Sequence, residues 1–205
     1  MIVIVDYGMG NLGSIFNMLR RVGCENMEIS SDEKKILTSE KLILPGVGNF
    51  TQAMTNLNKL GLISVLHHKV IQEKVPIMGI CLGMQLLFNT SEEGNCRGLG
   101  WVQGHVAKFD SKKSGSNFKI PHMGWNKINI KKNDPMIKNL SEESKFYFVH
   151  SYHAICKDRR DVLMTTDYMH DFHSGIASNN IYGFQFHPEK SHKYGYQIFK
   201  NFIKI

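Results

Sequence analysis

Short apolar runs alternate with stretches of helical spacing through the first ninety residues of the chain. Ile2-Val3-Ile4-Val5 is continuous and β-branched, the pattern of a strand buried on both faces. Residues 14–22 place Ile15, Met18, Leu19 and Val22 on one helical stripe, and Gly23 stands where a C-terminal cap belongs. A second strand is expected at 27–29, a turn of helix within the polar stretch 31–39, and a third strand at 41–44. Helices follow at 49–60 and 62–73, broken at Gly61, then a buried strand at 75–80 and a helix at 82–89. Such alternation predicts a parallel sheet with helices on both faces. From Trp101 onward the runs are strand-like, at 101–109, 127–130, 146–155, 162–166, 175–178 and 181–186. The expected fold is therefore α/β: an open, mostly parallel doubly wound (flavodoxin-like) sheet with an antiparallel extension in the C-terminal half. An amphipathic helix at 193–203 ends the chain. With no repeat, low-complexity segment or linker, residues 1–205 are expected to form a single domain.

Composition narrows the function classes. Hydrophobic residues make up 42% and charged residues 21% of the 205, ordinary values that argue against disorder or a fibrous repeat. The longest apolar runs fall far short of the ~20 residues that span a bilayer, so no membrane segment is expected. Met1 leads directly into an apolar strand, without a basic n-region or a small-residue cleavage site, which predicts a cytoplasmic protein. Cys24, Cys81, Cys96 and Cys156 lie far apart with no C-x-x-C pair, fitting reduced thiols better than a disulfide frame or a zinc site. The formal charge is +7, but Lys112, Lys113, Lys119, Lys127, Lys131, Lys132 and Lys138 are spread through loop-like sequence with no RNA-binding signature. A solvated basic face and no nucleic-acid partner is the expectation; the sharper alternative is a docking surface for an acidic protein or phosphorylated substrate.

Several constellations carry candidate chemistry. Gly8-Met9-Gly10-Asn11-Leu12-Gly13 fits G-x-G-x-x-G between a strand and a helix, with Asp32 as a candidate ribose partner. A dinucleotide site is one reading; the other is a glycine turn that lets strand and helix pack closely. No hydride chemistry stands downstream, so no cofactor is expected. Gly79-Ile80-Cys81-Leu82-Gly83 has the form of a nucleophile elbow with a thiol at its tip. The positive end of the following helix favours a thiolate there, and the Leu82 N–H points where an oxyanion would form. The competing reading is a buried cysteine packed as a small apolar residue. His187-Pro188-Glu189 supplies a base and its orienting acid, two residues apart and so on one side of an extended segment. Leu44-Pro45-Gly46-Val47-Gly48 follows the third strand and ends at the same sheet edge as Cys81, placed to turn an N–H into the cavity or to serve as a plain Pro-Gly turn. His170, His173, His67 and His68 lack a third ligand at a convincing spacing, so no metal is expected; His105, His122, His153 and His192 are read as surface or packed residues.

The stretches Gly79-Ile80-Cys81-Leu82-Gly83-Met84-Gln85 and Phe186-His187-Pro188-Glu189-Lys190-Ser191 resemble the class I, triad-type glutamine amidotransferases. Within that family the chain looks most like the glutaminase subunits of imidazole glycerol phosphate synthases. The residues that carry this are Asp6-Tyr7-Gly8-Met9-Gly10-Asn11, Pro45-Gly46-Val47-Gly48, Pro121-His122-Met123-Gly124-Trp125-Asn126 and Tyr147-Phe148-Val149-His150-Ser151-Tyr152. The resemblance implies Cys81, His187 and Glu189 as a triad acting on glutamine. It implies an oxyanion hole from Val47, Gly48 and Leu82, and substrate contacts from Gly46, Gln85, Ser151 and Tyr152. Asn11, Tyr147 and Lys190 match positions facing a (β/α)8-barrel synthase subunit, the expected heterodimer partner and ammonia acceptor in histidine biosynthesis, so the glycine loop becomes an interface element. Asn49 stands where that family commonly has alanine, and Ser191-His192-Lys193-Tyr194-Gly195 looks more like paralogues that supply ammonia for amidation of a surface sugar. More remote alternatives are a cysteine hydrolase or peptidase with the same triad and a dinucleotide-binding oxidoreductase.

Overall fold

A computed structural model describes residues 1–110 and 118–205 of the chain. Lys112 and Lys113 lie outside the described residues. In chain order the strands are β1 (Ile2–Val5), β2 (Met27–Ser30), β3 (Lys41–Leu44), β4 (Ile77–Ile80), β5 (Phe88–Ser91), β6 (Cys96–Arg97), β7 (Val102–Lys108), β8 (His122–Lys127), β9 (Asn129–Ile130), β10 (Lys145–His150), β11 (Tyr152–Cys156), β12 (Val162–Tyr168), β13 (His170–Ser178) and β14 (Ile181–Phe184). The α-helices are α1 (Leu12–Arg21), α2 (Glu33–Leu37), α3 (Phe50–Lys59), α4 (Leu62–His67), α5 (Leu82–Leu86) and α6 (His192–Phe202).

The main sheet runs β2-β1-β3-β4-β14-β13-β11-β7-β5-β6, with β12 paired to β13 and to β9. Its first five strands are parallel. The edge strand β2 is only partly covered, but β1, β3, β4 and β14 are largely buried, and alternate side chains serve two cores: Val3, Val5, Leu42 and Leu44 pack with α2, α3 and α4, while Ile2, Ile4, Ile43 and Ile80 pack with α1 and α6. Each such side chain contributes roughly 1.5–3 kcal/mol relative to exposure, which is why unbroken apolar runs form these strands. β8 and β10 make a separate antiparallel pair whose Phe146 and Phe148 close the second core.

Four expectations change. The strand at 181–186 is shorter and serves both halves: β14, ending at Phe184, pairs antiparallel with β13 as expected and also runs parallel to β4, so it joins the antiparallel extension to the parallel sheet as the latter's fifth strand. The helix after Cys81 ends at Leu86, because Phe88 is drawn into the core and β5 pairs with β7. The run at 146–155 divides at Ser151, β10 joining β8 and β11 joining β7. The helix at 62–73 continues past His67 as a π-helical turn, His68–Gln72. Of the basic residues, Lys127 pairs with Glu143 at 2.7 Å and Lys131 with Asp171 at 3.7 Å while both stay exposed, and Lys132 donates to two backbone carbonyls. Among the described residues no helix is long and apolar enough to cross a membrane.

Candidate active site

The carboxyl ends of β1, β3, β4 and β14 converge on one edge, the usual place for a site in an open parallel sheet. Cys81 follows β4 with φ 54° and ψ −109°, a conformation side chains seldom adopt. The surroundings hold it there. A Cβ on Gly83 would run into the Leu44 carbonyl oxygen, and one on Gly79 would stand 2.8 Å from the Gly83 backbone. The Cys81 N–H donates to the Phe184 carbonyl at 2.7 Å, tying the elbow to β14. The sulfur thus lies above the sheet edge, 6% of its residue exposed.

β14 delivers the partners. His187 Nδ1 and Glu189 Oε1 are 2.8 Å apart, with side chains 2% and 1% exposed. The paired oxygen can only accept from Nδ1–H while Glu189 is ionised, so Nε2 is the atom left to act on the sulfur. That Nε2 is buried without a hydrogen bond, and Glu189 Oε2 is likewise unpartnered. Burial by itself pulls His187 down. The Cys81 sulfur and then the Glu189 carboxylate outweigh it, and the imidazole is raised from 6.5 to about 10. An imidazolium facing the sulfur is the partner a thiolate nucleophile needs.

Cys81 and His187 open on a cavity of about 300 Å³ that is also lined by Val47, Gly48, Leu82, Gln85, Ser151 and Tyr152, so the proposed oxyanion and substrate positions share one space. Gly46 is buried beneath it against Leu82 and Gly83. Tyr7, 1% exposed, donates its O–H to the Pro45 carbonyl and anchors the start of that segment. Burial, and then the nearby Cys81, push the Tyr7 phenol well up, so it stays a donor. The Tyr152 carbonyl receives Gln85 Nε2 at 2.9 Å and His150 Nδ1 at 2.8 Å. Both its lone pairs are engaged, which leaves N–H groups and the Ser151 hydroxyl as what this segment can offer a ligand. At the rim, Lys190 Nζ stands 5.8 Å from the Tyr147 ring. Trp125 lies beside that ring and is stacked on His192. Asn11 caps no N–H with its side chain and is half-exposed at the start of α1, which packs against the 188–190 turn.

Glu93, His150, Pro121 and Val149 also line the cavity, and sequence reasoning names none of them for it. Glu93 sits in a polar turn with no motif; one of its carboxylate oxygens accepts the Phe50 N–H at 2.8 Å. Asp32, the candidate ribose partner, caps α2 through the Lys34 N–H instead, and Gly10 lets the glycine loop press on Pro45. Among the described residues no group of three or more His, Cys, Asp or Glu side chains is arranged to hold a metal.

The glutamine amidotransferase class-I family model matches residues 3–205. The chain is 53% identical over 204 residues to imidazole glycerol phosphate synthase subunit HisH 2 of Methanococcus maripaludis, covering 100% of this chain and 99% of that one. It is 46% identical over 205 residues to the protein of the same name from Pseudomonas aeruginosa, covering 100% of both. A crystal structure of a glutamine amidotransferase aligns over 100% of this chain and 98% of its own, with a TM-score of 0.76 at 16% identity, a likeness of fold.

Proposed function

The chain belongs to the class-I glutamine amidotransferases, and from that premise we propose that it is the glutaminase subunit of an imidazole glycerol phosphate synthase. In this reading residues 1–205 are one amidotransferase domain, and Cys81, His187 and Glu189 release ammonia from glutamine for a separate (β/α)8-barrel cyclase subunit. Full-length identity to synthase subunits of that name supports the assignment. The observation that carries the chemistry is one cavity lined by both Cys81 and His187, whose buried Nε2 has no other hydrogen-bond partner.

The Cys81 sulfur adds to the side-chain carbonyl carbon of glutamine, and charge builds on the oxygen. N–H groups of Leu82 and the Val47-Gly48 segment receive that charge. His187 passes its Nε2 proton to the amide nitrogen as the C–N bond breaks and ammonia leaves, giving a glutamyl thioester. Water then loses a proton to His187 and adds to the thioester; the C–S bond breaks and glutamate departs. Glu189 keeps Nδ1 protonated throughout. With both Nε2 hydrogens of Gln85 engaged, its oxygen is left to accept an N–H of the substrate. The Glu93 carboxylate suits the substrate's α-ammonium, Gly46 forms the floor, and the Ser151-Tyr152 backbone forms the opposite wall. Asn11, Tyr147 and Lys190 face the barrel. Four free thiols agree with work in the cytoplasm.

The test is glutaminase turnover of the chain alone and with the barrel subunit carrying its N-phosphoribosyl formimino ligand. Turnover is expected to be weak alone and to rise with the loaded partner; equal turnover in both conditions overturns the reading. Cys81→Ala should fold, lose hydrolysis and still allow added ammonia to feed the barrel, whereas residual glutaminase would remove Cys81 from the mechanism. A second reading rests on residues 191–195, which resemble those of paralogues that supply ammonia for sugar amidation and place His192 against Trp125 beside Tyr147. Stimulation by a sugar-amidating synthase and none by the cyclase would select it.

A further inference from the structure

Gln185 has no part in the mechanism above, yet its side chain is fully buried. A long polar side chain loses rotamer freedom and hydration when it is buried, so its contacts must compensate. It stands two residues before His187 at the end of β14, on the same side of an extended segment. Its Nε2 lies 3.7 Å from Cys81 Sγ, within hydrogen-bond range for sulfur.

Which end of an amide faces a neighbour is normally assigned from the surrounding network, and here that network has a fixed origin. The Tyr152 carbonyl can only accept, so the Gln85 atom 2.9 Å away must be its nitrogen. The same nitrogen lies 3.0 Å from the terminal atom of Gln185, which must therefore be the oxygen. That leaves the Gln185 NH2 group facing the sulfur. Reversing either amide would set oxygen against oxygen or NH2 against NH2. The carbonyl at the origin is itself pinned by His150 Nδ1, so the polarity running from β11 to the elbow is not free to rotate.

We propose that Gln185 is a further catalytic residue, its Nε2–H donating to the Cys81 sulfur, with Gln85 and the Tyr152 carbonyl as the positioning groups that aim it. The proposal rests on the reading of Cys81 as the nucleophile. A donor in a dry site favours sulfur as an anion over sulfur in a neutral thioester. It therefore assists formation of the thiolate before attack, and it receives the sulfur again when the C–S bond breaks and the electron pair returns to it.

The experiment follows alkylation of Cys81 by iodoacetamide against pH in the full chain. It is read from the mass of the Cys81 peptide, because Cys24 and Cys96 are partly exposed and also react. In Gln185→Leu the alkylation midpoint should move up by about one pH unit, a tenfold effect. Partner-stimulated kcat should fall by a similar factor while KM stays within about twofold, since the donor acts on the sulfur rather than on bound glutamine. Gln185→Glu, nearly isosteric, should move the midpoint further by placing a carboxylate against the sulfur, and Gln185→Met, which fills the same space without a donor, replaces the leucine variant if that one does not fold. An unchanged midpoint in the folded variants overturns the proposal, including the case in which kcat and the alkylatable fraction fall together, the signature of a merely structural role. If alkylated Cys81 leaves glutamine hydrolysis intact, the nucleophile reading itself is what fails.

Discussion

Glu189→Gln is the sharpest probe of the proposed triad. The bond it alters is 2.8 Å long and joins side chains 2% and 1% exposed, so water does not screen it. A hydrogen bond to a charged group contributes about 1.5–3 kcal/mol, and at 1.36 kcal/mol per unit its loss lowers the His187 pKa by about one to two units. His187 stands at about 10 in the intact site, with the Cys81 sulfur the leading group that raises it and Glu189 the next. Because the imidazolium must supply the proton for departing ammonia, the alkaline limb of kcat/KM tracks its titration. In the variant that limb should begin about one to two units lower, and the same loss of transition-state stabilisation should cost roughly 10- to 100-fold in kcat/KM at neutral pH. The assay is partner-stimulated glutaminase across the alkaline range, with the fold checked by circular dichroism. A limb superimposed on that of the parent chain refutes the electrostatic role of Glu189, even if the rate falls.

Two further outcomes follow from the packing and the titration. Gly83→Ala drives a methyl into the Leu44 carbonyl oxygen, and overpacking of this kind costs about 1–3 kcal/mol; for a chain of this length the melting temperature should drop by roughly 3–10 °C, and an unchanged melt would show that the elbow relaxes freely. His187 is raised from 6.5 to about 10 on folding, so the stability it contributes is whole below about pH 6.5 and is lost as pH rises through about 10. Urea midpoints should show that decline in the parent chain and not in His187→Asn; parallel pH curves for the two would contradict it.

The parallel half of the fold is legible in the sequence because a strand buried on both faces leaves an unbroken apolar run, as at Ile2–Val5 and Ile77–Ile80. The elbow is legible for a related reason: steric demand at Gly79 and Gly83 selects glycine on both sides of a strained cysteine. Strand direction leaves no such trace. Ile181–Phe184 carries no sign that one of its edges pairs antiparallel with β13 while the other runs parallel beside β4, and only the assembled sheet shows it. Gln185 between Phe184 and Phe186 looks like the polar member of an alternating strand, which hides that its side faces another buried side chain rather than water. Glu93 is invisible for want of periodicity, and Asp32 misleads because a helix cap and a ribose ligand ask for the same residue type.

The histidines behind the site are kept neutral. Burial holds His122 at about 4 and His153 at about 4, and it lowers His150 well below its ordinary value, with the neighbouring histidines adding to the effect. Their hydrogen bonds require that neutrality. His150 Nδ1 donates to the Tyr152 carbonyl, so its Nε2 must accept from His122 Nδ1, 3.1 Å away, and His122 Nε2 is left to accept from Asn126 at 3.4 Å. A proton added to either ring would remove an acceptor the chain depends on and place a second cation in the region of His187. Phe109, Phe148 and Phe172 pack around these rings and exclude the water that would stabilise that charge. The wire from Asn126 to the Tyr152 carbonyl therefore conducts polarity rather than protons. It begins on the strand that also exposes Met123 and Trp125, and it ends on the carbonyl that orients Gln85.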